Sequence, residues 1–204
     1  MIYSIIFIGD LVKTIKSNSV NEIIIKNSRF ITLLIEFSDE DDLNIILEKV
    51  KTKYTKATHY CYAYITKSLK KSSDDGEPGG TAGMPMLNVL EKEGMINVLA
   101  ITIRYFGGIK LGAGGLVRAY SKCIKEALLN ANTIEIVDGY VVSILASYEE
   151  QKNLEYILRN YEIINKSFLE CICYTVLIPK NDLNILNNYS YQIIKEEYIK
   201  KSSI

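Results

Sequence analysis

Three carboxylates stand close together in one glycine-containing segment. This segment, here called the acidic loop (residues 74–83), shows no hydrophobic periodicity. Its acidic members are Asp74, Asp75 and Glu77. Carboxylates at this density suit a magnesium site or paired acid–base chemistry. They equally suit a turn that pairs with cations such as Arg104 or Lys110, because structural ion pairs also concentrate charge.

A second segment, the glycine-rich loop (residues 107–115), leads into the amino end of a predicted helix. Main-chain N–H groups at such a junction attract phosphate or carboxylate. The candidate ligand-binding residues are the loop glycines and three basic side chains: Arg104, Gly107, Gly108, Lys110, Gly112, Gly114, Gly115 and Arg118. The spacing fits neither G-x-x-x-x-G-K-[ST] nor G-x-G-x-x-G, since Val117 stands where the second motif needs its last glycine. The loop therefore predicts anion binding without a P-loop or Rossmann nucleotide site.

The single histidine, His59, lies on a predicted strand among tyrosines. It can act as a general base at the acidic loop, or as a hydrogen-bonded structural group, which is the commoner role in such surroundings. One histidine is too few for a zinc site. The cysteines form no C-x-x-C pair and are expected to be free thiols: Cys61, Cys123, Cys171 and Cys173. No catalytic residue and no cofactor are assigned, and a divalent metal at the acidic loop stays an open alternative.

The two loops are positioned by predicted strands and helices. Apolar and β-branched runs predict strands at residues 2–8, 22–26, 30–37, 58–66 and 97–105. A capped amphipathic helix is predicted after Ser38, a polar loop at residues 67–73 and a short helix around Pro85. In the helix after the glycine-rich loop, spacing predicts an inward apolar stripe: Val117, Tyr120, Ile124 and Leu128. The same spacing turns three basic residues outward: Arg118, Lys122 and Lys125.

The last third of the chain has its own pattern. A strand at residues 134–137 ends before Asp138 and Gly139, which mark a predicted domain boundary. The order that follows is strand, helix, strand, strand, helix, strand. This βαββαβ order matches a ferredoxin-like module.

Composition narrows the class of protein. With 48% hydrophobic and 24% charged residues, the 204-residue chain is neither disordered nor of low complexity. Its longest stretch without a charged residue has thirteen residues, whereas a membrane span needs about 20. The apolar residues at the amino terminus are not preceded by basic residues, and Asp10 follows them before any small-residue cleavage site. We therefore expect no secretory signal peptide. We predict a cytoplasmic protein without a membrane partner.

The charge is balanced overall but not locally. Lys and Arg number 24, as do Asp and Glu, which argues against tight non-specific nucleic-acid binding. Residues 94–125 nevertheless contain five basic side chains and no acid. Beside the acidic loop, this basic stretch can steer a charged ligand to one place.

Four segments resemble the YigZ/IMPACT family. They are NSRF at residues 27–30, ATHYCYAY at 57–64, DDGEPGGTAGMPML at 74–87 and RYFGGIKLGAGGLVRAYS at 104–121. Together they span most of residues 20–130, and the last two are long and specific. Asn27 is a difference, since the family commonly has lysine there.

The resemblance implies an α+β fold in two domains. Residues 1–138 are implied to adopt the fold shared by a ribosomal-protein domain and domain IV of translational GTPases. Residues 139–204 are implied to be a ferredoxin-like domain that resembles the last domain of elongation factor G. Eukaryotic family members regulate translation, so the resemblance implies an association with translation or RNA.

Three functional hypotheses follow. The first is a non-enzymatic, translation-associated regulator that binds RNA, the ribosome or a translation factor through the glycine-rich loop. The second is an enzyme or small-ligand protein that acts on a phosphorylated substrate through the acidic loop, His59 and a divalent metal. The third is a protein-interaction module, which predicts an exposed aromatic patch near Tyr105 and Phe106.

Overall fold

The computed structural model describes residues 12–200. The chain divides into two compact units, Met1–Glu135 and Ile136–Ile204. The fold is mixed α/β, with two antiparallel sheets and four α-helices in the described part of the chain. The strand predicted at residues 2–8 lies outside the described residues. No helix between residues 12 and 200 is long and apolar enough to cross a membrane.

From residue 12 onward, the first unit contains six strands and three α-helices before the strand at which the units divide. The strands are β1 (Lys13–Ile15), β2 (Ser19–Ile25), β3 (Ser28–Glu36), β4 (His59–Ile65), β5 (Lys70–Ser73) and β6 (Val98–Tyr105). The helices are α1 (Leu43–Lys53), α2 (Gly83–Lys92) and α3 (Ala113–Leu129), with a 3-10 helix at Glu40–Asp42. Five of the strands form a sheet in the order β2-β3-β6-β4-β5.

The sheet is covered on both faces, because its central strands β3 and β6 carry apolar side chains on both sides. On β3, Ile31 and Leu33 pack with Val50 of α1 in one hydrophobic cluster. Phe30 points to the other face, where its ring lies edge-on to that of Tyr120 on α3, with centroids 5.5 Å apart. Successive strand residues face opposite sides of a sheet. Helix α1 therefore packs on one face, and α3 packs on the other together with α2.

Three details of the first unit differ from the sequence prediction. Residues 70–73 were predicted as loop but form β5, a lysine-containing strand at the sheet edge, where polar side chains meet solvent. The carboxylate of Asp39 caps the 3-10 helix that precedes α1 by accepting the N–H of Asp41, whereas the N-cap residue of α1 itself, Asp42, makes no side-chain cap hydrogen bond. Val117 of α3 was predicted to be buried but is exposed. The buried face of α3 includes Ala119 and Cys123, and Val117 lies beside that face.

The second unit is built on β7 (Thr133–Ala146), which begins in the first unit and pairs there with β1. The other elements are α4 (Gln151–Leu158), β8 (Glu162–Phe168), β9 (Ile172–Pro179), a 3-10 helix (Lys180–Leu186) and β10 (Ser190–Lys200). The strand order is β10-β7-β9-β8, with all neighbours antiparallel. The predicted succession is thus observed, except that its second helix is a 3-10 helix.

The strand end predicted before Asp138 and Gly139 is not observed, since β7 runs through both residues as one strand, but the two units divide between Glu135 and Ile136, three residues before the predicted boundary. Gly139 pairs with Pro179 on one side and Glu197 on the other. A Cβ at this position would lie 2.2 Å from the Cδ1 atom of Ile199. This glycine therefore serves a close approach between strands and does not form a turn.

The topology places both loops at neighbouring positions. The acidic loop joins β5 to α2, and the glycine-rich loop joins β6 to α3. Strands β4 and β6 pair antiparallel, with His59 opposite Arg104. Because α2 and α3 pack against each other on one face of the sheet, the loops that begin these helices lie side by side.

Candidate functional site

Asp74 organises the acidic loop from within. Its Oδ1 atom accepts the N–H groups of Ala82 and Gly83 at 2.9 and 2.8 Å, and its Oδ2 atom accepts that of Gly80 at 2.7 Å. Partial burial alone would raise the pKa of Asp74, but these three donors outweigh it and lower the pKa. The carboxylate thus closes the loop and caps the amino end of α2.

Replacing Asp74 by alanine is expected to destabilise the protein by about 2–3 kcal/mol at pH 7, because three backbone N–H groups lose their acceptor. The lowered folded-state pKa means that this stabilisation is present above the unfolded-state value and disappears as pH falls through the folded-state pKa. Denaturant unfolding at pH 7 and below pH 4 should therefore show a gap between wild type and variant that narrows in acid. Asp39→Ala removes an acceptor for a single N–H group and should cost only about 1 kcal/mol.

Glu77 joins three elements in the interior. Its side chain is 3% exposed and its Oε1 atom accepts from the Nη1 atom of Arg104 at 2.6 Å, in an ion pair in which Arg104 is 6% exposed. The same oxygen accepts the hydroxyl of Tyr120 at 2.8 Å. Glu77 on the acidic loop therefore fixes the end of β6 and the inner face of α3.

Arg104 was predicted either as a phosphate ligand or as an ion-pair partner of the acidic loop, and the structure places its guanidinium in this buried network with Glu77. Besides Glu77, it donates to the Oγ atom of Ser28 at 3.4 Å, and Ser28 also accepts the N–H of Gly107 at 3.3 Å. The Nε atom of Arg104 is buried and has no hydrogen-bond partner among residues 12–200. Arg104 therefore positions the start of the glycine-rich loop and is left out of the surface proposed below.

His59 and Asp75 flank the buried pair. The Nδ1 atom of His59 lies 2.8 Å from the backbone oxygen of Asp75, and its Nε2 atom lies 3.8 Å from the Oε2 atom of Glu77. The carboxylate of Asp75 accepts the N–H of Tyr60 at 2.6 Å. These contacts place His59 in the hydrogen-bonded network predicted as the alternative to a general base.

The cysteines are free, and the two in the first unit are buried. Cys61 donates to the backbone oxygen of Asp74 and to the hydroxyl of Tyr120. Burial raises the pKa of Cys61 to about 12 and that of Cys123 to about 12. Both side chains are therefore thiols at neutral pH, and thiols are poor nucleophiles.

All three acidic side chains of the acidic loop accept hydrogen bonds from other groups of the protein. The carboxylate of Asp74 accepts backbone N–H groups, and that of Asp75 accepts the N–H of Tyr60. The carboxylate of Glu77 accepts from the side chains of Arg104 and Tyr120. No group of three or more His, Cys, Asp or Glu side chains in the described part of the chain is placed to hold a metal ion. Asp74 therefore stabilises the acidic loop internally, while Asp75 and Glu77 attach the loop to β4, β6 and α3.

The glycine-rich loop ends at the amino terminus of α3, where Gly112 is the N-cap residue. Gly112 has a φ of +73°, a left-handed conformation that favours glycine. No side chain caps this helix, and the first N–H bonded across the turn is that of Leu116, to the oxygen of Gly112. The N–H groups that precede Leu116 in the first turn have no partner within the helix, as at the start of any α-helix.

Basic side chains surround this helix start. The Nη1 atom of Arg118 lies 3.7 Å from the position that a Cβ on Gly114 would occupy, so the guanidinium folds back over the first turn. Lys110 in the loop is exposed, as are Lys122 and Lys125 further along α3. We call the exposed set Lys110, Arg118, Lys122 and Lys125 the basic face. Gly108 and Gly114 are exposed beside it, and Gly115 is partly buried.

The described part of the chain thus forms a two-unit α/β protein whose first unit holds both loops in contact through Glu77, Arg104 and Ser28. A family model described as the Impact N-terminal domain matches residues 26–128. YvyE, an IMPACT family member of Bacillus subtilis, is 35% identical over 185 residues, which is 88% of this chain and 85% of that protein. YigZ, an IMPACT family member of Escherichia coli, is 34% identical over 76% of this chain and 79% of its own. This chain belongs to the IMPACT family.

A solved structure is similar to most of this chain. The crystal structure of a hypothetical protein covers 89% of this chain and 95% of its own, with 29% sequence identity and a TM-score of 0.63. The resemblance found in the four sequence segments is therefore confirmed at the level of the family and of the general fold.

Two side chains of the site were not singled out by the sequence. Ser28 bridges Arg104 and Gly107, and Tyr120 bridges Cys61 and Glu77. The inward position of Tyr120 on α3 was predicted, but its hydroxyl could be linked to Glu77 only through the tertiary structure. For Ser28, the sequence offered no signal beyond its place in the NSRF segment.

Proposed function

We propose that this protein acts in translation by binding RNA through the basic face at the start of α3. Its membership of the IMPACT family supports the link to translation, because the eukaryotic members are translational regulators. The observation that carries the RNA-binding proposal is the guanidinium of Arg118, which lies over the uncapped first turn of α3. Backbone N–H groups and a guanidinium at one place are the usual ligands of a phosphate group.

The charges around this point fit a phosphate chain better than a single ion. Arg118, Lys122 and Lys125 are spaced by four and three residues, which places them along one side of the helix. Residues 94–125 contain no acidic side chain, and Glu93, just before this stretch, lines the same cavity as Lys125 at the far end of the row. A row of cations meets successive phosphates of an RNA strand, and each contact releases counterions from the nucleic acid.

The balanced total charge limits the strength of this interaction. With 24 basic and 24 acidic residues, the protein has no general attraction for nucleic acid. Binding is therefore local to the basic face and sensitive to salt. The ribosome, which presents folded RNA at high density, is the partner that this proposal favours over a free translation factor.

The remaining expectations form part of the same proposal. A cytoplasmic location follows from a role in translation. The ferredoxin-like assignment for residues 139–204, with residues 1–138 as the other domain, is supported by the antiparallel order β10-β7-β9-β8. Neither a cofactor nor a membrane partner is needed.

The enzyme hypothesis stays a prediction, and the contacts at the acidic loop do not favour it. A metal-dependent reaction on a phosphorylated substrate requires several oxygen ligands that converge on one metal ion. In the described structure, Asp74, Asp75 and Glu77 all accept hydrogen bonds from the protein itself. We therefore do not propose a reaction.

Substitution of Lys110 or Arg118 by alanine is expected to weaken binding to ribosomes and to a single-stranded RNA oligonucleotide by about fivefold each. Fluorescence anisotropy with a labelled oligonucleotide and co-sedimentation with purified 70S ribosomes measure the two affinities. Lys49→Ala on α1 is the matched control, because it removes an exposed lysine from the opposite face of the sheet. Equal affinities for wild type, control and both variants would contradict the proposal.

A further inference from the structure

Phe106 is an exposed aromatic side chain at the entrance to the glycine-rich loop. Its side chain remains 47% exposed, although the residue directly follows the buried strand β6. The neighbouring Tyr105 is partly buried, and its hydroxyl donates to the backbone oxygen of Thr55. Of the two aromatic residues at this position, Phe106 is therefore the one whose ring is available to a ligand.

The backbone around Phe106 is held firmly. Its N–H donates to the Oγ1 atom of Thr58 at 3.1 Å. The next residue, Gly107, lies so close to Asn27 that a Cβ would come within 2.0 Å of the backbone there. An exposed ring on a fixed backbone loses little conformational entropy when it binds a ligand.

The Phe106 ring also packs against the guanidinium of Arg104. The guanidinium carbon of Arg104 lies over the Phe106 ring, 5.5 Å from its centroid, and over the buried Phe30 ring at 5.4 Å. Glu77 and Ser28 hold this guanidinium in place. Phe30, Arg104 and Phe106 thus form a layered stack that begins in the core and ends at an exposed aromatic face.

We propose that Phe106 is a stacking platform for an unpaired nucleobase of a single-stranded RNA segment. This inference rests on the proposed RNA-binding function and extends it from phosphate contacts to a base contact. Residues 107–112 separate Phe106 from the start of α3, so the platform and the basic face are the two ends of one loop. Aromatic platforms beside a cationic groove are the arrangement by which proteins bind single strands without reading their sequence.

The charge around the platform favours a nucleobase over an apolar protein segment. Phe106 lies within the acid-free residues 94–125, and the loop that follows carries Lys110. An RNA strand that contacts Lys110 and Arg118 through its phosphates brings its bases close to the Phe106 ring. Stacking on a phenylalanine ring selects for an unpaired base, because in a duplex the faces of the bases are already stacked.

The chain contains no tryptophan, so Phe106→Trp introduces a single fluorescent reporter at the platform. Titration with a single-stranded RNA 12-mer is expected to quench this emission, and Phe106→Trp should bind with an affinity close to that of wild type. Phe106→Leu, which keeps an apolar side chain but removes the π face, should bind the single strand about tenfold more weakly. Its affinity for double-stranded RNA of the same sequence should be unchanged.

Phe168→Trp is the matched control. Phe168 is 55% exposed and has a cationic partner, Lys166, 4.8 Å from its ring centroid, but it belongs to the second unit. Its emission should not respond to RNA. If wild type binds RNA while Phe106→Trp is not quenched, or Phe106→Leu weakens single- and double-stranded binding alike, the stacking inference is wrong and the RNA-binding proposal stands. If wild type binds neither RNA, the proposed function itself is wrong.

Discussion

Replacement of Glu77 by alanine is expected to destabilise the protein by about 3–5 kcal/mol. The substitution leaves the guanidinium of Arg104 buried without a counter-charge, and this loss is far larger than the net contribution of an intact pair. The hydroxyl of Tyr120 loses its acceptor in the same step. Denaturant unfolding followed by circular dichroism measures the free energy of unfolding of the variant.

Glu22→Ala provides the comparison, because it breaks an ion pair of the same chemistry at the surface. The side chains of Arg29 and Glu22 are 49% and 43% exposed, with their atoms 2.8 Å apart. Exposed pairs contribute at most about 1 kcal/mol. Similar losses for the two variants would show that the Glu77–Arg104 pair is not buried in solution, and the layered stack beneath Phe106 would lose its support.

Gly107→Ala is expected to cost about 3 kcal/mol or more and to weaken RNA binding as well. The added Cβ would lie 2.0 Å from the backbone carbon and oxygen of Asn27. Two backbone segments must then separate, which is the costly form of overpacking. The displacement would also move Phe106 and the start of the glycine-rich loop, so thermal unfolding and RNA affinity should both change.

Gly79→Ala is the control for this substitution. Nothing lies within 4 Å of the position that its Cβ would occupy, and its backbone is not left-handed. Its stability should stay within about 0.5 kcal/mol of wild type. A stable Gly107→Ala variant with unchanged RNA affinity would be inconsistent with the close approach of the glycine-rich loop to Asn27.

The strands and helices of this protein could largely be predicted from residue patterns. The apolar runs at residues 30–37 and 97–105 correspond to β3 and β6, and the amphipathic segment after Ser38 contains α1. The errors arose where tertiary contacts outweigh local preference. Residues 70–73 form a strand because they pair with β4, and Gly139 stays within β7 because three strands meet there.

The position of the candidate site could be predicted from the sequence. Which of its charged residues are buried and which are exposed could not. Glycine clustering identified the two loops, because left-handed turns and close backbone approaches require this residue. The roles of the charged residues depended on burial, which the sequence does not reveal. Arg104 and Glu77 pair with each other in the interior, whereas Lys110 and Arg118 remain exposed. Only the second pair is available to a ligand.

The dependence of RNA affinity on salt concentration tests the central claim most directly. Each phosphate contact with a single strand contributes about 0.7 to the slope of log affinity against log salt. The Lys110→Ala Arg118→Ala double variant should therefore show a slope that is smaller by about 1.4 than that of wild type, while Lys49→Ala keeps the wild-type slope. A steep slope that is the same in wild type and the double variant, or binding that is indifferent to salt, would contradict phosphate recognition by the basic face.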